Sequence, residues 1–178
     1  MKGDFIKAVI TLLLLTIMSF SARAGYDFHV NGLYYRVVSF EDLTCACVDE
    51  QNTSNIKQKS KYTGDIIIPS TVTFGKRVFT VIEVGENAFY WSDITSVKIS
   101  GSIKVIRRGA FVCCKELQKV VLEDGVKMIE PSAFASCDKL KYVKLSNTLQ
   151  SIGYCAFSKC TDLSCEIVLP PSCEVVGE

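Results

Sequence analysis

The chain between Val84 and Glu178 repeats one short phrase. Val84-Gly85-Glu86-Asn87-Ala88-Phe89 aligns with Ile106-Arg107-Arg108-Gly109-Ala110-Phe111, then with Ile129-Glu130-Pro131-Ser132-Ala133-Phe134 and Ile152-Gly153-Tyr154-Cys155-Ala156-Phe157. The Ala-Phe pairs are 22, 23 and 23 residues apart, and Ile94, Leu117, Leu140 and Leu163 follow at a constant 23. A fixed period of this length predicts a solenoid, in which each unit buries its apolar face only against its neighbours.

Each unit carries two apolar residues at i and i+2, the signature of one buried strand face. These are Ile66/Ile68, Val97/Ile99, Val120/Leu122, Val143/Leu145 and Ile167/Leu169. Five such strands predict a parallel ladder about 19 Å long at a spacing of about 4.8 Å. Turns follow at Glu123-Asp124-Gly125 and Ser146-Asn147, and Ile103/Ile106, Val126/Ile129 and Leu149/Ile152 fill the interior. The Ala-Phe segment packs the opposite wall, in short helical or irregular turns, with Ala where coils approach and Phe at the centre.

Two hairpins precede the repeats. Asp27–Val30 and Leu33–Val38 flank Asn31-Gly32, the pair suited to a type I′ turn, and a second hairpin turns at Gly75. Together they are expected to cover the first coil, which otherwise exposes an apolar face and a strand edge. Glu41–Lys61, with Cys45-Ala46-Cys47 embedded, reads as a loop or irregular strand pair. At the far end Val175-Val176-Gly177-Glu178 matches Glu83-Val84-Gly85-Glu86, so another repeat begins as the sequence stops. The expected division is a signal peptide at 1–24, a β cap with the first ladder strand at 25–80, and about four repeats at 81–178.

The signal-peptide expectation rests on Lys2 and Lys7, an apolar run from Ala8 to Phe20, and Ala22-Arg23-Ala24 as cleavage site. That run is shorter than the roughly 20 residues needed to span a bilayer. Of 20 basic and 19 acidic residues, removing Lys2, Lys7, Arg23 and Asp4 leaves 17 and 18, a net charge of −1. Such a balance gives no bulk attraction to nucleic acid. The expected setting is secreted or cell-surface, with the periplasm as the alternative, and no membrane span after cleavage. All nine cysteines lie beyond the signal. Being odd in number, they leave at least one unpaired or bridging chains.

The phrase Ile152-Gly153-Tyr154-Cys155-Ala156-Phe157-Ser158-Lys159-Cys160-Thr161-Asp162-Leu163 resembles the BspA-like leucine-rich repeats of bacterial surface proteins. The lead-in Tyr62–Ser70 also resembles Bacteroides-type members, and the resemblance covers roughly residues 26–178. It implies a β-rich right-handed leucine-rich-repeat solenoid acting in adhesion or protein binding, with no shared catalytic residues. The first repeat departs in carrying Ser92 where Cys is expected.

Chemistry is sparse. Cys114, Cys137 and Cys160 each fall three residues after Phe111, Phe134 and Phe157, so with Phe89 they form structural columns. Stacked positions point in parallel rather than converging on a metal, and buried apolar thiols explain them. Disulfides are more plausible among Cys113, Cys155, Cys165 and Cys173, or from Cys45-x-Cys47 to an unassigned partner. His29 is the one histidine and lies in the first hairpin. No catalytic set, metal site or cofactor is expected, and Asn52-Thr53-Ser54 reads as a chance sequon.

The better site is the outward face of the ladder, expected to be concave: Ser96, Lys98, Lys119, Tyr142, Lys144 and Glu166. Lys with Tyr suits an acidic or glycan-bearing partner, although an ordinary solvated strand face has the same composition. Trp91 is a second contact on the opposite wall or a core residue. The expected function is non-enzymatic binding of a protein or glycan, host extracellular matrix included. The alternatives are an assembly module self-associating through its C-terminal edge, and a remnant of a longer adhesin.

Overall fold

The computed structural model describes residues 26–49, 59–164 and 167–175. The expected signal peptide at 1–24, Asn52, Cys165, Glu166 and Val176–Glu178 lie outside these residues. Among those described there is no helix; thirteen strands form two sheets.

The expected ladder is present with four strands. β4 (Thr63–Ile68), β7 (Asp93–Ile99), β9 (Lys119–Leu122) and β11 (Tyr142–Lys144) pair in parallel, in the order β11-β9-β7-β4. The register joins Ile66 to Val97, Val97 to Val120 and Val120 to Val143. Val97, Val120 and Val143 face the core. Ile167 and Leu169 do not form the fifth strand, which shortens the ladder to about 14 Å. Pro170 gives a physical reason. At its place in earlier coils, the Ser100 amide donates to Ile68 O at 3.2 Å and the Glu123 amide donates to Ile99 O at 2.9 Å, and proline has no N–H to give.

A second parallel ladder runs through Ile106, Ile129 and Ile152, residues that sequence reading assigned to filling the interior and not to strands. β6 (Arg77–Val84), β8 (Val105–Ile106), β10 (Met128–Ile129), β12 (Ser151–Ile152) and β13 (Glu174–Val175) pair in sequence order. Val84, Ile106 and Ile129 face inward, fully buried. The last rung departs from the sequence alignment. Val175, rather than Val176, pairs with Ile152 and so takes the inward place that the alignment gave to Val176; on the last rung of the described residues it is exposed, beside an apolar hollow lined by Ile152, Ala156, Phe157 and Leu169.

The Ala-Phe wall is hydrogen-bonded from coil to coil. The amides of Phe89, Phe111 and Phe134 donate to the carbonyls of Ala110, Ala133 and Ala156 at 2.7, 2.7 and 2.8 Å. Two positions per coil have left-handed backbone: Asn87, Gly109, Ser132 and Cys155 before Ala, and Trp91, Cys113, Ser136 and Lys159 two residues after Phe. This tight double turn replaces a helix. Inside it the rings of Phe89, Phe111, Phe134 and Phe157 stack with centroids 4.8, 4.9 and 5.3 Å apart.

At the N-terminal end, β1 (Phe28–Val30) and β2 (Leu33–Ser39) form the expected hairpin, with φ of 51° at Asn31 and 79° at Gly32. The second hairpin joins β5 (Thr71–Phe74) to β6 around Gly75, whose φ is 61°. The segment read as a loop or irregular strand pair contains β3 (Thr44–Val48), antiparallel to β2 and parallel to β6. It welds the cap onto the second ladder, and Cys45 and Cys47 are fully buried in it. Tyr62 continues the phenylalanine column, 4.4 Å from Phe89 between centroids, and donates from its hydroxyl to Val48 O at 2.8 Å. The column therefore ends on a polar group that the cap satisfies.

Candidate binding face

Alternation along β7, β9 and β11 turns Ser96, Lys98, Lys119, Tyr142 and Lys144 outward, as expected. The pairing puts Ser96, Lys119 and Tyr142 in one row and Lys98, Val121 and Lys144 in the next. Glu166 lies outside the described residues, so the rows end at β11. Sequence reading missed the other end. β4 extends the first row with Asp65 and the second with Ile67, and the i/i+2 alternation that identified Ile66 and Ile68 also marks these two.

The charges are less free than a run of lysines suggests. Lys98 Nζ lies 2.7 Å from Glu123 Oε1, which holds the Glu123 carboxyl below its ordinary range. Asp65 accepts from Ser96 Oγ at 2.6 Å and Thr95 Oγ1 at 2.8 Å. These bonds, with a smaller contribution from Lys119, lower its pKa. Lys119 and Lys144 have no ion pair among the described residues. Lys119 Nζ instead sits 5.7 Å from the ring centroid of Tyr142, within cation–π range. Tyr142 keeps 48 % of its surface exposed. The candidate face contracts to Lys119, Tyr142 and Lys144, an exposed aromatic ring beneath one cation with a second cation two residues along the same strand.

The cysteines behave as packing. The Sγ atoms of Cys114, Cys137 and Cys160 donate to Phe89 O, Phe111 O and Phe134 O at 3.0, 3.2 and 3.2 Å. Ser92, at the missing place in the column, meets Cys114 Sγ at 3.3 Å, so a hydroxyl extends the thiol series. Hydrogen bonding to the thiols of Cys114 and Cys160, with burial adding to it, pushes the Cys137 thiol up. All eight described cysteines are unpaired, contrary to the disulfides expected among Cys113, Cys155 and Cys173. Cys113 and Cys155 occupy different left-handed columns of the outer turns, with φ of 62° and 54°. Trp91 is not a core residue: it is 47 % exposed on the outer turns.

Residues 82–178 match the family described as a BspA type leucine-rich repeat region of six copies. The chain belongs to that family. It is similar to a leucine-rich repeat protein of Bacteroides ovatus at 29 % identity and TM-score 0.72, over 86 % of this chain and 38 % of that one. A Treponema pallidum leucine-rich repeat protein matches at 25 % identity and TM-score 0.68, over 84 % and 64 %. One from Bacteroides capillosus, at 21 % identity and TM-score 0.61 over 87 % and 99 %, shares the fold. The chain thus spans less than two thirds of the length of the first two. A search of curated proteins finds no match.

Proposed function

We propose that the chain is an exported, non-enzymatic binding protein that recognises an acidic protein or glycan, such as a host extracellular-matrix component, through the outward face of the four-stranded ladder. Family membership supports the general reading, because leucine-rich repeats are protein-binding or surface repeat modules. One observation carries the specific one: Tyr142 stands half-exposed beneath the Lys119 ammonium, with Lys144 on the same strand. An aromatic ring with a polar tip anchors a partner at low entropic cost, and the adjoining cations select for negative charge. The export reading rests on the basic, apolar and small-residue pattern of residues 1–24.

The test is binding of the chain, produced in an exporting host, to a panel of matrix proteins and glycans. Beside it goes a variant with Lys98, Lys119, Tyr142 and Lys144 changed to Ala. Saturable binding that this folded variant loses supports the reading. Binding that it retains moves the site elsewhere, and a folded chain that binds no member of the panel removes the adhesion reading.

A further inference from the structure

A cavity of about 640 Å³ lies on the nine-stranded sheet, where the cap joins the second ladder. Its volume is that of a small-molecule site. Alternation along β3 makes its floor. Cys45 and Cys47 enter the core, so Ala46 and Val48 turn to the opposite face. The pairing sets Ala46 between Arg36 of β2 and Glu83 of β6. Two long side chains therefore stand about 10 Å apart across a single methyl group. Gly85 keeps the floor low beside them, since an added Cβ there would come within 3.0 Å of Val48 Cγ1.

One wall of the cavity is a fixed cluster. Arg107 donates from Nε and Nη2 to Glu83 Oε2 at 2.9 and 2.6 Å, and from Nη1 to Glu130 Oε1 at 2.9 Å. The Arg108 amide holds the other oxygen of Glu130 at 2.9 Å. Glu83 Oε1 is left as an acceptor, and each terminal nitrogen of Arg107 keeps one N–H to donate. Asn87, also on the lining, adds an amide that both donates and accepts. On the opposite side Arg36 has no ion pair among the described residues, and neither has Glu86 at the end of the floor.

This mixture of fixed donors and acceptors discriminates between ligands. A simple anion meets the carboxylates of Glu83, Glu86 and Glu130, and a simple cation meets the guanidinium groups of Arg36 and Arg107. Neighbouring hydroxyl groups suit the cluster better, because each donates once and accepts as well. They give to Glu83 Oε1 and Glu86 while taking from Arg107 and Asn87. The unpaired guanidinium of Arg36 then favours a carboxylate on the same molecule, through a planar two-point contact.

We propose that this cavity is a second binding site, which takes a saccharide bearing a carboxylate, of the hexuronic acid class. The ring hydroxyls meet the Arg107 cluster, the carboxylate pairs with Arg36, and Ala46 and the exposed Val38 lie against the C–H face of the ring. The site is on the other sheet from Lys119 and Tyr142, and neither site requires the other.

Amide-shift titration of the full chain by NMR tests it. The probes are a galacturonate dimer, a glucuronate-containing disaccharide, cellobiose and acetate. At least one uronate is expected to shift the Gly85 and Asn87 amides saturably, with a dissociation constant of about 1 mM or below. Cellobiose is expected to bind the same place about tenfold more weakly, and acetate not to saturate. Arg36→Gln should weaken the uronate about tenfold and leave cellobiose unchanged, whereas Glu86→Gln should weaken both sugars. Both residues are exposed, and an otherwise unchanged spectrum shows that the variants fold. Tyr142→Ala should leave the titration as it was, so failure of the lysine face and failure of this site are read separately. Absence of a saturable shift at Gly85 and Asn87 with either uronate overturns the proposal. So does acetate binding as well as a uronate, or an Arg36→Gln variant that binds the uronate undiminished.

Discussion

The ring of Phe111 lies parallel to that of Phe134, with 1° between the planes and 4.9 Å between the centroids. The ring spacing equals the strand spacing of a sheet, about 4.8 Å, so the rungs of the ladders and the aromatic column share one repeat distance. Each ring is fully buried and is packed above and below by a ring of its own kind. Phe111→Ala removes the middle of the column and leaves a cavity that neither hydrogen-bonded wall can collapse to fill. The expected cost is about 3–5 kcal/mol, read as a lower denaturant midpoint at unchanged slope. Phe111→Leu should cost clearly less. Equal costs for the two would show that filled volume is not what the ring contributes, and would contradict the cavity argument.

Gly101 and Gly125 sit where two turns touch. A Cβ at Gly101 would meet Asp124 O, and one at Gly125 would meet Gly101 O, both well inside van der Waals contact, and Gly125 also has φ of 120°. The obstructing atoms are backbone and cannot swing aside. Gly101→Ala and Gly125→Ala are each expected to destabilise by at least about 2 kcal/mol, measured by equilibrium unfolding. Gly75→Ala has no atom within 4 Å of its added Cβ and carries only the left-handed backbone penalty, about 1–2 kcal/mol. Reversal of this order would contradict the close approach of the turns.

Tyr142→Ala separates recognition from folding. The ring is half-exposed and lies outside the core, so the expected change in stability is within about 0.5 kcal/mol. Loss of an interface anchor costs about 2 kcal/mol or more in affinity. Titration of the ligand found by the panel, alongside thermal unfolding, reads both quantities. A large drop in stability would mark Tyr142 as structural.

Thiol reactivity should follow the coils. In the reduced chain Cys45, Cys47, Cys114 and Cys137 are buried, while Cys113, Cys155, Cys160 and Cys173 are partly exposed. Reaction needs an accessible thiolate. A thiol reagent with site-by-site mass spectrometry is therefore expected to label the second set in the native chain and the first only after unfolding. Rapid native labelling of Cys45 or Cys47 would show that β3 opens readily.

Alkali should act first on the cap. Burial lifts the Cys45 thiol from its ordinary 9.0 to about 12 and, as the main cause, also pushes up Cys47, Tyr35 and Tyr62. A group raised in the folded state leaves its stabilisation intact below its unfolded pKa, and that stabilisation is lost as pH rises through the folded value. For Cys45 that window runs from pH 9.0 to about 12. The denaturant midpoint is expected to be flat up to pH 9.0 and to fall above it, with tyrosine signals of the cap changing first. A flat midpoint through the window would mean that these groups are solvated. Acid acts in the opposite sense on Asp65 and Glu123, whose lowered pKa values give stability present above the ordinary carboxylate range and lost as pH falls through the folded values.

The sequence by itself determined the stack. A period of 23 residues superposes equivalent positions, so the columns of Phe111, Cys114, Leu117 and Val120 follow from the repeat alone, as do the outward rows holding Lys119 and Tyr142. The Asn31-Gly32 hairpin was equally legible, because its backbone preference is local. Tertiary structure decided whatever depends on a neighbouring coil or on the cap. β3 becomes a strand through pairing with β2 and β6, a partnership that no local period in Glu41–Lys61 announces. Tyr62 takes the place of a phenylalanine because the cap offers Val48 O to its hydroxyl. Glu123 pairs with Lys98 of the preceding coil and leaves Lys119 and Lys144 as the cations of the face. The fifth strand shows the boundary between the two. Ile167 and Leu169 have the apolar pattern of a rung, but a rung also needs hydrogen bonds to its neighbour, and at Pro170 the donor is missing.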